Sequence, residues 1–158
     1  MADRLTAPTA LEEHRKLAAF AGEWSGEEMV YPSRWTEGGP ATSKVNARID
    51  LNGFHLIQET KQFRDGKETF ATHGLFTYDR EDRLYKLFWH DSLGYYPPSP
   101  ASGGWSGKQL ILVRGSMRGN ARHVYEVIDD NNYTMKIQFS PDAEGWADVL
   151  TGAYKRLH

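Results

Sequence analysis

Six histidines and a handful of carboxylates are the residues able to do chemistry in this chain. His73 falls within one strand-like run and His90 at the end of the next. Two imidazoles on neighbouring strands, with Glu59 from the strand before, could share a wall. Such a group could move protons or hold a metal. No HExxH-type spacing accompanies it, so the residues themselves assign no metal and leave catalytic residues unnamed. Glu27 and Glu28 are adjacent, so only one of them can share a face with Trp24, and alternation selects Glu28. A carboxylate turned into an apolar interior is costly unless something pairs with it. Arg48 and Lys61 carry the charge to do so, but nothing in the spacing assigns them.

His14 lies on the apolar stripe of a predicted helix and reads as a packed histidine tying that helix to the body. Trp89, His90 and Asp91 form a dense polar–aromatic triplet, but neighbours on a strand point oppositely, so His90 and Asp91 cannot relay to one another. Ser92 follows without a Gly-x-Ser-x-Gly elbow. The Pro/Gly/Ser-rich stretch 92–104 carries Tyr95 and Tyr96. Its prolines limit its freedom and its tyrosines are amphipathic, which suits a lid over an open end, or a loop used for self-association into a homodimer. Trp35, beside the Gly38-Gly39-Pro40 turn, could cover an end in the same way.

These residues need elements to position them. The pattern predicts one helix over 9–21, with Thr9 and Glu12 as a capping box and Gly22 as its stop. Nine strands of about ten residues follow, over 23–31, 42–51, 54–64, 67–78, 83–91, 105–114, 121–129, 132–140 and 145–155. Alternation is best at Val45, Ala47, Ile49 and Leu51, and at Tyr133, Met135, Ile137 and Phe139. Asn52-Gly53 and Asp65-Gly66 are hairpin signals. The expected fold is all-β: one domain over 1–158, with a barrel over about 22–156. Its antiparallel meander of about 8–10 strands closes to remove its edges. A barrel of that size can hold one small ligand.

Composition excludes several classes. The chain has 158 residues and no cysteine, which removes disulfides, thiolate nucleophiles and cysteine metal sites. Lysine plus arginine is 19 and aspartate plus glutamate 21, a net charge of −2 that gives no global attraction to nucleic acid or an anionic membrane. Mean hydropathy is −0.64, and no apolar run approaches a membrane span of about 20 residues. The opening MADRLTAPTA lacks a basic region followed by an apolar one, so no signal peptide and a cytoplasmic location are expected.

The segments HRKLAAFAGEWSGEE, LNGFHLIQE, FWHDSLG, GGWSGKQL and GWADVLTGAYKR together resemble the uncharacterised bacterial family known as domain of unknown function 1579, over roughly residues 10–156. The Gly-x-Trp strand after a short helix is similar to that of calycin barrels: lipocalins, fatty-acid-binding proteins and nitrobindin-like haem proteins. The resemblance implies a calycin-like barrel and supplies no catalytic residues. The expected function is binding of a small, largely apolar or amphipathic molecule inside the barrel. Its cavity candidates are Trp24, Glu28, Glu59, His73, Trp89 and His90. Two other assignments use the same pocket: an enzyme with a His/Glu acid–base pair, and a haem protein of the nitrobindin kind. No cofactor is called from the residues. Where nitrobindin-like proteins carry further glycines, this chain has Glu27 and Glu28.

Overall fold

The computed structural model describes residues 6–95 and 99–158. Helix α1 (Glu12–Arg15) continues into a 3-10 turn over Lys16–Phe20. Ten antiparallel strands follow: β1 (Gly22–Val30), β2 (Gly39–Asp50), β3 (His55–Arg64), β4 (Lys67–Asp79), β5 (Leu84–Asp91), β6 (Ala101–Ser106), β7 (Gln109–Ser116), β8 (Gly119–Asp129), β9 (Asn132–Ser140) and β10 (Ala147–Arg156). Each strand pairs with its neighbours in sequence, and β1 pairs with β10 to close the barrel.

The all-β barrel and its N-terminal helix match the sequence expectation, with one extra strand. The predicted strand 105–114 is a hairpin, β6–β7, turning at Gly107-Lys108. The strand signal of Ala101–Ser106 is masked by its glycines and serines. Gly103 is required there, because a Cβ would fall 1.9 Å from the carbonyl oxygen of Ile111. The helix is also shorter and capped differently. The amide of Leu11 donates to His14 Nδ1 at 2.9 Å, replacing the predicted Thr9/Glu12 box. His14 Nε2 then donates to the Tyr78 carbonyl at 3.0 Å, which ties the helix to the barrel.

The helix end of the barrel is plugged by aromatic side chains. Trp24 is 1% exposed and donates from its indole to the Phe20 carbonyl at 3.0 Å. Tyr133 lies between Trp24 and Tyr154, with ring centroids 4.7 Å from each. Leu17, Phe20, Phe76 and Tyr125 complete this core. Asp65-Gly66 turns β3 into β4 with both residues at positive φ, as a tight hairpin of this kind requires. Val45 and Ala47 face inward, whereas Ile49 and Leu51 run past the wall and are exposed.

Candidate functional site

Above the aromatic plug the interior becomes polar. On β1 the inward parity set by Trp24 carries Glu28 into the barrel, where it is 6% exposed. Gln62 on β3 donates from Nε2 to Glu28 Oε1 at 3.0 Å. Tyr154 on β10 donates its hydroxyl to Glu28 Oε2. Among the described residues no lysine or arginine forms an ion pair with this carboxyl. Burial pushes the Glu28 carboxyl above its ordinary value, and the hydrogen bonds from Tyr154 and Gln62 partly offset this.

Glycines make room for this arrangement. A Cβ on Gly152 would sit 2.4 Å from the Tyr154 hydroxyl, and one on Gly26 would sit 2.6 Å from the Tyr154 ring. Both glycines are cross-strand neighbours in the β1–β10 ladder, where Gly26 faces Tyr154 and Glu28 faces Gly152. Tyr154 therefore lies flat across two residues without side chains, and its hydroxyl reaches the carboxyl.

Glu28 lines a narrow interior cleft together with Gln58, Thr60, Thr72, Phe70, Trp89, Met135 and Leu150 among others. Its free space is about 20 Å³, the room one water molecule occupies. Thr72 is 3% exposed, and its hydroxyl has no hydrogen-bond partner. Ser43 Oγ, His123 Nδ1 and Tyr125 Oη are likewise buried and unpartnered. His123 packs against Trp89 with ring centroids 4.9 Å apart. Complete burial, with the Arg114 cation nearby, drives the His123 imidazole down to about 3, so it is neutral. His123 is enclosed between Trp89 and Tyr125, with ring centroids 4.9 and 6.5 Å away, so a haem macrocycle does not fit against its imidazole in this packing.

The sequence-predicted candidates divide between the two faces. Trp24, Glu28 and Trp89 project inward. Trp89 donates from its indole to Asp91 Oδ2 at 3.0 Å. Glu59, His73 and His90 do form one cross-strand row, Glu59 opposite His73 and His73 opposite His90. That row lies on the outer surface rather than in the cavity. Inward parity belongs to Leu56 and Gln58 on β3, to Thr72 and Phe76 on β4, and to Tyr85 and Leu87 on β5. Glu59 pairs outside with Arg48 at 3.8 Å, both side chains about half exposed, a contact of small energetic weight. His73 and His90 therefore cannot act with Glu28 in one pocket. Among the described residues no group of three or more His, Asp or Glu is placed to hold a metal ion.

The mouth carries the predicted loop aromatics. Trp35 and Tyr95 meet edge to face at 5.8 Å. Arg34 lies over Trp35, and Arg118 lies over Tyr95 at 4.4 Å. Three connecting segments thus touch across one end. Tyr96, the other predicted lid residue, lies outside the described residues. Sequence reasoning missed Gln62, Thr72, His123 and Tyr154. The signal for Tyr154 was present, since Leu150, Gly152 and Tyr154 share a face and the glycine marks a close approach.

The profile of the family described as "Protein of unknown function (DUF1579)" matches residues 9–156. The chain belongs to this family. Among curated proteins none matches. Rv2717c from M. tuberculosis shares the fold with a TM-score of 0.70 at 13% identity, over 96% of this chain and 100% of that one. The S-type phycobiliprotein lyase CPES from Guillardia theta has a TM-score of 0.63 at 8% identity, over 91% and 92%. Both likenesses show the antiparallel barrel fold and nothing finer. A barrel with an interior cleft is compatible with ligand binding. No helix among the described residues is long and apolar enough to cross a membrane.

Proposed function

We propose that this member of the family is a binding protein for a small, largely apolar molecule with one polar end. The observation that carries the reading is Thr72: a buried hydroxyl without a partner, lining the same cleft as a buried carboxyl that has no ion-pair partner among the described residues. Buried polar groups are satisfied almost everywhere in folded proteins, and the exceptions are where water or a ligand belongs. Trp89, Met135 and Leu150 provide apolar walls. The water-sized space takes the polar end, and the rest of the molecule displaces side chains toward the mouth. The enzymatic assignment through His73 or His90 draws no support from their outward placement.

Native mass spectrometry of freshly purified protein, with an absorbance scan of the same sample, tests this reading. The expected result is an added mass on the 18.0 kDa chain that is lost from Thr60→Phe, since Thr60 lines the cleft and a phenyl ring there fills it. A clean mass of the chain alone, or an adduct that Thr60→Phe retains, overturns an interior ligand. A haem absorbance band would replace it with the haem assignment.

A further inference from the structure

Resting on that reading, we infer that the polar end of the ligand is a primary ammonium group, seated against Glu28 in the cleft. Four features of the cleft argue for a cation. The first is the carboxyl itself, which has no ion-pair partner among the described residues. Its two protein hydrogen bonds, from Gln62 and Tyr154, leave acceptor sites open on both oxygens, since a carboxylate offers about four. Second, Thr72 Oγ1 is an unpartnered hydroxyl on the same cleft, with lone pairs free to accept. An ammonium has three donors and no acceptor, so it suits a site of acceptors. Third, the free space of about 20 Å³ matches a water-sized group such as –NH₃⁺. Fourth, Trp89, Tyr133, Tyr154 and Phe70 line the cleft, and aromatic faces attract cations more strongly when water is excluded.

The charge balance is simple. A neutral amine meeting the protonated acid and an ammonium meeting the carboxylate give the same ion pair, with the proton on nitrogen. An alcohol would supply one donor and leave the carboxyl uncompensated. A carboxylate ligand would bring a second negative charge beside Glu28. Its natural partner would be Arg114 on β7, a half-buried guanidinium nearer to His123 and Arg118.

Calorimetric titration of the full chain with n-hexylamine, n-hexanol and hexanoate at neutral pH tests the inference. Hexylamine should bind most tightly, and Glu28→Gln should weaken it by about tenfold or more, the usual effect of losing a charged hydrogen bond. Thr72→Val, which keeps the shape and removes the acceptor, should weaken hexylamine several-fold and leave hexanol nearly unchanged. It serves as the test if Glu28→Gln folds poorly. Preferred binding of hexanoate or hexanol, or hexylamine affinity untouched by both substitutions, overturns the ammonium assignment and leaves the interior-ligand reading standing. No binding of any of the three overturns both.

Discussion

His123 is neutral because nothing in the barrel compensates a charge at its position. Its imidazole is completely buried, unpartnered at Nδ1 and near the Arg114 cation. The folded state therefore declines a proton that the unfolded chain accepts at about 6.5. Fewer protons bound in the folded state means that stability falls as pH drops from 6.5 toward about 3. His14 and His55 are also pushed down by burial and add to the same limb. His123→Phe keeps a ring against Trp89 and Tyr125 and removes the titration. Between pH 7 and pH 5 the variant should lose less stability than the parent by about 2 kcal/mol, a difference that urea unfolding at the two pH values measures. Equal losses in both proteins would show that His123 finds a partner in solution.

Among the elements, β1 and β10 matter most, because their pairing closes the barrel and also builds the Glu28 site. Gly26, Glu28, Gly152 and Tyr154 occupy four positions of that one ladder. Gly152→Ala places a methyl group where the Tyr154 hydroxyl sits, 2.4 Å away. The tyrosine must then leave Glu28 or the strands must part, at a cost of about 1–3 kcal/mol. In a Tyr154→Ala background the same substitution should cost almost nothing. A double-mutant cycle by thermal or urea unfolding reads this coupling, and additive costs would mean that Gly152 serves the backbone alone. Strand β6 teaches the converse lesson. Its Gly103 is an obligatory close approach, yet the same glycine made the segment read as loop.

For the whole molecule, the plugged end and the mouth behave differently because one is sealed by buried area and the other by surface contacts. Trp24 is 1% exposed within the aromatic plug, whereas Trp35 at the mouth is 52% exposed. Trp24→Ala should cost about 3–5 kcal/mol, the range for truncating a large buried aromatic side chain. Trp35→Ala should stay within about 0.5 kcal/mol, as exposed positions generally do. Denaturant unfolding compares the two, and similar costs would mean that the mouth clasp contributes to the fold as much as the core.

Periodicity and turn chemistry are local, and they carried most of the architecture. Alternation at Val45-Ala47 and Tyr133-Met135, the Asp65-Gly66 hairpin and the aromatic content sufficed for an antiparallel barrel with one short helix. Local parity also linked Glu28 to Trp24, because two residues of one strand share a face whatever surrounds them. Whether a mixed strand turns one face or the other inward is not a local property. Glu59, His73 and His90 formed the expected row, but the interior took Leu56, Phe76 and Leu87, so the row went outside. Nor could spacing show that Tyr154 and Gln62 reach Glu28 from 126 and 34 residues away. Only closure of β1 against β10 and the packing of β2 against β3 decide that, because a buried carboxyl must find its donors among whatever strands the barrel brings beside it.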